Sequence, residues 1–185
     1  MSCSRHLIRD LLSYLMLRSV LDPMSGSGTC ADVCHELGIP CTSLDLRRGP
    51  DACDPASYAQ LGQHDFVWSH PPYLKMIRYN EDPRCLSNAP TLDDFLEQMR
   101  MFIRACTSAM STKARLAMLI GGYSHQWRYL PLYALTTQIA MSEEYWPACT
   151  EIIRFQHNNS SSGKVYTSSF IPGLHETCTV FQRQR

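Results

Sequence analysis

The sequence predicts an α/β fold in which a mostly parallel sheet carries helices on both faces. Two observations lead there. Short apolar segments of strand character alternate with amphipathic helical segments for most of the chain. A Gly-rich turn also follows the first strand, where sheets of this kind place a ligand. The 185 residues are expected to form one domain over 1–185, with enough chain to bury a core of its own.

The elements follow in order. Leu7, Ile8, Leu11, Leu12 and Leu15 recur at helical spacing and predict a helix over 5–17. Residues 19–22 form a short strand. Residues 28–37 fit a helix that Gly38 closes as a left-handed cap. A second strand spans 41–44 and ends at Asp45. Phe66, Val67 and Trp68 mark a buried strand over 65–69. Thr91 with Asp94 three residues on reads as a capping box, opening a helix that runs to about Met110. Residues 114–120 form another buried strand, stopped by Gly121-Gly122. Pro131 suits the first turn of a helix that reaches about Met141. Late strands are expected over 151–156 and 177–182. Two long loops remain, 74–90 and 157–174.

Composition narrows the class. The hydrophobic share is 44% and the charged share 18%, values ordinary for a globular protein. No apolar run approaches the ~20 residues of a membrane span, and His6, Arg9 and Asp10 break up any signal-peptide pattern. The expectation is a cytoplasmic protein with no membrane partner. Nine cysteines include no C-x-x-C pair. Cys30 and Cys34 fall on one helix without a second pair at finger-like spacing, so they read as reduced thiols, with no metal assigned. A formal net charge of zero argues against a strongly basic nucleic-acid binder. Any nucleic-acid contact must then use a local patch, an oligomer or a partner.

The Gly-rich turn, Asp22-Pro23-Met24-Ser25-Gly26-Ser27-Gly28-Thr29, admits several ligands. A phosphate-binding loop needs Gly-Lys-Ser/Thr, and no lysine follows Gly28. Gly26 to Ala31 formally matches G-x-G-x-x-A, with Asp45 placed to grip a ribose. S-adenosylmethionine needs nearly the same scaffold, with Asp22 available to its ammonium group. The turn alone leaves both ligands open.

The stretch Ser69-His70-Pro71-Pro72-Tyr73, directly after a buried strand, decides between them. Two prolines fix the backbone and remove two N–H donors while their carbonyls remain acceptors. Tyr73 offers a face for stacking. Acceptors beside an aromatic ring suit an NH2 group on a flat ring system.

Together these two stretches resemble the cofactor motif and the [DNS]PP[YFW] motif of amino-methyltransferases acting on adenine N6 or cytosine N4 in DNA. The likeness is to small DNA methylases carried on mobile elements, and it extends over nearly the whole chain. It implies a Rossmann-like methyltransferase fold, with a late antiparallel strand, and S-adenosyl-L-methionine as cofactor. Residues 22–29, Asp45, Leu46, Asp51 and Ala52 would hold the cofactor. Ser69, His70, Pro71, Pro72 and Tyr73 would form the catalytic segment. The resemblance further implies a base flipped from the helix, its amine held by the Pro71 carbonyl and the preceding residue, and methyl transfer without a covalent intermediate. The C5-cytosine class instead needs a Pro-Cys nucleophile after this motif. The Pro-Cys pair here, Pro40-Cys41, lies in the second strand and reads as core.

Two departures from the family pattern follow. His70 stands where Asp, Asn or Ser is usual. A neutral imidazole can accept one hydrogen bond, but an imidazolium cannot. His70 would replace the acceptor, or Ser69 would help instead. The chain also lacks room for a separate target-recognition domain. Lys75, Arg78 and Arg84, with Tyr79, in the first long loop, and Lys164, with Arg154 and Tyr166, in or beside the second, are the candidates for DNA contact. A homodimer or a partner subunit would complete the grip. RNA, a protein glutamine, or a degenerate binding role are the alternatives.

Overall fold

A computed structural model describes residues 5–155 and 175–184. Nine strands and four α-helices occur among them: α1 Arg5–Tyr14, β1 Val20–Asp22, α2 Thr29–Leu37, β2 Cys41–Ser43, β3 His64–Ser69, α3 Leu92–Thr107, β4 Met110–Gly121, β5 Tyr123–His125, β6 Arg128–Leu130, α4 Leu132–Ser142, β7 Tyr145–Pro147, β8 Ile152–Phe155 and β9 His175–Arg183. The main sheet runs β2-β1-β3-β4-β9-β7, and β8 also pairs with β9. The first four strands are parallel, and β9 is antiparallel to β4. β7 and β8 pair with successive parts of β9, Tyr145 opposite Arg183 and Ile152 opposite Cys178.

Strand alternation sorts the core onto the two faces. Val20, Phe66, Trp68, Ala117 and Leu119 pack with Ile8, Leu11 and Leu12 of α1 and Val33 of α2. Their neighbours Leu21, Val67, Leu116, Met118 and Ile120 pack with Phe95, Met99, Phe102 and Ile103 of α3 and Ile139 of α4. A sheet buried on both sides explains why its central strands are near-continuous apolar runs. Charged tethers fix the helices at their edges. Arg5 and Arg9 of α1 both pair with Glu36 of α2. Arg100 and Arg104 of α3 grip Glu143 just beyond α4 at 2.9 and 2.8 Å.

Several boundaries differ from the sequence expectation. α1 ends at Tyr14, because Met16 enters the left-handed region (φ 49°) and turns the chain. α3 carries the expected capping box but ends at Thr107, so Met110 opens β4 and pairs with His64. Gly121 lies inside β4, and the chain continues into a hairpin, β5–β6, that periodicity did not show. Gly122 is needed at that corner because a Cβ there would overlap the Tyr129 ring. Pro131 sits at the N-cap of α4, one place earlier than expected. β7 was also unforeseen, having one buried residue in three. The expected loop over 157–174, with Lys164 and Tyr166, lies outside the described residues. No helix among the described residues is long and apolar enough to cross a membrane.

Candidate active site

β1, β2 and β3 point their C-terminal ends at one cavity of about 750 Å³, within the roughly 300–1,000 Å³ range of small-molecule sites. One end is built by the Gly-rich turn. After β1, Gly26 and Gly28 adopt φ of +52° and +84°, a region costly for residues bearing a Cβ. Gly28 is the N-cap of α2, and its carbonyl receives the Asp32 N–H at 3.0 Å. The Ser25 N–H donates to the Leu44 carbonyl at 3.0 Å, which ties the turn to the end of β2. The residues 22–27 and Thr29 of the turn line the cavity.

Two acids flank this turn. Asp22 is buried, and its carboxyl accepts the Met24 N–H at 3.3 Å. Burial, with the Cys41 sulfur nearby, pushes its pKa up to about 7. Asp45 ends β2 at the cavity wall and is held by Arg47. Arg47 donates from Nε to Oδ1 at 3.0 Å and from Nη2 to Oδ2 at 2.6 Å. The same Nη2 donates to the Gly26 carbonyl at 2.8 Å. These bonds hold the Asp45 carboxyl below the usual carboxylate range. Arg47 therefore latches the acid to the glycine turn, a partnership the sequence reading missed. Beyond it, Leu46, Asp51 and Ala52 line the same wall, with the Asp51 carboxylate accepting the Cys53 N–H at 2.8 Å.

The other end is the segment leaving β3. His70, Pro71, Pro72 and Tyr73 all line the cavity. Ser69 does not. It is fully buried in β3, and its hydroxyl finds no hydrogen-bond partner among the described residues. The expected role of Ser69 beside His70 therefore has no geometric support, because the period-two alternation of a strand turns neighbouring side chains to opposite faces.

Glu176 organises this end, and the sequence reading passed over it. It sits in β9, buried at 5% exposure, and its carboxylate serves three groups. The Tyr73 hydroxyl donates to Oε1 at 2.8 Å. His70 Nε2 lies 3.3 Å from the same oxygen. Arg154, directly opposite on β8, pairs with Oε2. The Tyr73 hydroxyl in turn accepts the Gly121 N–H at 2.6 Å. Arg154, expected at a DNA surface, is thus turned inward as the counter-ion of Glu176.

This arrangement sets the state of His70. Burial, with the positive charge of Arg154, pushes its pKa down to about 4. The Glu176 contact has the geometry of an ion pair, but an imidazolium there would also face Arg154 and lose its hydration. The neutral ring is the form favoured. With Nε2–H donating to Glu176, Nδ1 is left as an acceptor. His70 can therefore supply the acceptor that Asp, Asn or Ser supplies in the resembled motif. The Tyr73 ring meets His70 edge-on, centroids 6.3 Å apart, and the Tyr123 ring at 6.4 Å.

The loop after Tyr73 forms the rim, where Met76, Ile77 and Tyr79 are at least half exposed. Its expected cations are locally engaged. Lys75 donates to the Pro90 carbonyl, Arg78 pairs with Glu81, and Arg84 grips Asp82 at 2.7 Å. Such exposed pairs contribute little and open readily. The tip of the β5–β6 hairpin holds Trp127 fully exposed, with φ of 64°. A bulky residue in that conformation is an outlier.

No family model matches the chain, and no curated relative matches it. Solved structures do. TrmN from Thermus thermophilus superposes with a TM-score of 0.62 at 16% identity, over all of this chain and 50% of that one. The 1,6-didemethyltoxoflavin-N1-methyltransferase of Burkholderia thailandensis, with S-adenosylhomocysteine bound, gives 0.61 at 13%, over all of this chain and 80% of that one. TTHA0409, also from Thermus thermophilus, named a "Putative DNA Modification Methylase" and complexed with S-adenosyl-L-methionine, gives 0.50 at 17%, over 72% and 53%. The chain thus spans about half the length of the TrmN and TTHA0409 structures. Sheet order, strand directions and these superpositions agree: the chain has the α/β fold of S-adenosylmethionine-dependent methyltransferases.

Proposed function

We propose that this chain methylates the exocyclic amino group of a DNA base, adenine N6 or cytosine N4, using S-adenosylmethionine. The observation that carries the reading is the meeting, in one cavity, of the Gly-rich turn and the His70–Tyr73 segment. The first end fits the cofactor. Two left-handed glycines bring the backbone close, and a Cβ on Gly28 would meet no protein atom within 4 Å. Asp22 is available to an ammonium, and Asp45 to ribose hydroxyls. When bound, S-adenosylmethionine supplies an electrophilic methyl group.

The second end fits a planar amine. The Pro71 carbonyl and His70 Nδ1 would accept its two N–H bonds, leaving the nitrogen lone pair directed away from both. Tyr73, its hydroxyl locked by Glu176 and Gly121, would present its ring for stacking on the base. Much of the acceleration would come from this orientation. The half-exposed Met76, Ile77 and Tyr79 of the rim suit a nucleic acid, since apolar and aromatic groups at such positions stack on bases or wedge between them. Neutral charge and locally paired cations favour a homodimer or a partner subunit in holding the duplex.

The test is transfer of labelled methyl groups from S-adenosylmethionine onto DNA, RNA and protein, followed by nucleoside and amino-acid mass spectrometry. The expected products are N6-methyladenine or N4-methylcytosine in DNA. Label in RNA, in protein glutamine, or in none of them would overturn the DNA reading.

A further inference from the structure

The face of the sheet beneath the Gly-rich turn holds a group of side chains that the methyl-transfer reading does not use. Cys30 lies in the first turn of α2 and Cys34 one turn later, so their side chains share a face of the helix. Gly38 then reverses the chain in a left-handed cap, its N–H reaching the Cys34 and His35 carbonyls. The Ile39 N–H returns to the Cys34 carbonyl at 2.9 Å. This tight exit lays Cys41, the first residue of β2, against the two helical cysteines. The three sulfurs lie within 4.8 Å of one another. A tetrahedral zinc–thiolate site, with Zn–S near 2.3 Å, places sulfurs about 3.8 Å apart. Closing these three onto one ion therefore needs only side-chain adjustment.

We propose that Cys30, Cys34 and Cys41 form a three-thiolate site for Zn²⁺. Thiolate-rich donor sets select zinc and other soft or borderline ions over the hard cations. Two of the ligands are buried and the third, Cys41, is partly exposed on the edge strand β2. The fourth corner therefore opens towards solvent and is completed by water. Nearby His64 is not available to fill it. Its Nε2 lies 2.9 Å from the Thr42 hydroxyl and its Nδ1 3.3 Å from the Ala109 carbonyl. Binding one Zn²⁺ releases three thiol protons and leaves a centre of net charge −1, with no change of oxidation state. The ion would clip the start of α2 to β2. Cys30 directly follows Thr29 and lines the cavity, so this clip would brace the glycine turn from behind.

The test uses the full chain, reduced and stripped of metal, titrated with Zn²⁺ against a chromophoric chelator and separately with Co²⁺. Wild type should bind one Zn²⁺ per chain, and Co²⁺ should show the thiolate charge-transfer and tetrahedral d–d bands. Cys41→Ser should lose ~100-fold or more in Zn²⁺ affinity, while the exposed control Cys149→Ser should match wild type. Circular dichroism checks that Cys41→Ser is folded; should it fail to fold, the Co²⁺ spectrum of wild type decides. Absence of stoichiometric Zn²⁺ binding would overturn the site. So would equal binding by folded Cys41→Ser, or Co²⁺ spectra without sulfur charge transfer. None of these readouts depends on methyl transfer.

Discussion

The two ends of the cavity are built by different means. The glycine-turn end is local. Asp22 to Thr29 is one continuous segment, and Asp45 is latched by Arg47, two residues away. Its shape comes from left-handed glycines and short-range turns, which a run of eight residues can encode. The His70 end is assembled from distance. Pro71 and Pro72 are local, but the carboxylate that orients His70 and Tyr73 lies 106 and 103 residues further on. The local end reaches its geometry through backbone conformation. The distant end needs the whole sheet folded, with β9 beside β4 and β8 beside β9. Damage to the two ends should therefore appear in different measurements.

The largest expected effect separates them directly. His70→Ala should lower methyl transfer by about 10²–10³-fold, the range for losing one preorganised hydrogen-bonding group. Binding of S-adenosylmethionine, followed by calorimetry, should be unchanged. His70→Asn restores an uncharged acceptor and should stay active. The wild-type rate should fall only as pH drops through about 4, where His70 gains its proton and Nδ1 ceases to accept. His70→Asn should lose that acidic limb. A wild-type rate in His70→Ala would remove His70 from the reaction.

Asp45→Ala should show the reverse pattern. Losing a charged hydrogen-bond acceptor for the ribose should weaken cofactor binding by about 1.5–3 kcal/mol, with the rate at saturating cofactor nearly preserved. Arg47→Ala should cost less, because Arg47 holds the acid and would not itself grip the ribose. Equal losses in the two variants would mean that the latch, rather than the carboxylate, is what the cofactor needs.

Gly28→Ala tests whether the local end is a matter of backbone conformation. An L side chain at φ 84° should destabilise the fold by roughly 1–2 kcal/mol, read as a lower denaturation midpoint. A midpoint equal to wild type would show that the turn relaxes without glycine.

The smallest effect concerns the distant end. Arg154→Gln removes the positive charge that disfavours imidazolium and leaves Glu176 without its counter-ion. Both changes raise the His70 pKa, so the acidic limb of the rate profile should move to higher pH. A limb that stays in place, or moves down, would show that Arg154 does not act on His70.

The sequence by itself determined the fold class, most of the helices and strands, and both segments that line the cavity. These features rest on short-range rules: apolar periodicity, the Thr91–Asp94 capping box, glycines where φ must be positive, prolines where N–H groups must be absent. Its errors fall where local signals are weak or where the partner is remote. β7 and the β5–β6 hairpin strands are three residues each with one buried residue among them, so no buried apolar run marks them. Ser69 looked available because it adjoins His70, but strand alternation buries it. Arg154 looked like a surface cation, yet it faces Glu176 because β8 and β9 place them opposite each other. Cys41 read as core; the fold puts it on an edge strand, against two cysteines from a helix. Only the tertiary structure decides such matters. A side chain's partners depend on which strands become neighbours, and that choice is made by burying both faces of the sheet at once, which no window of contiguous residues contains.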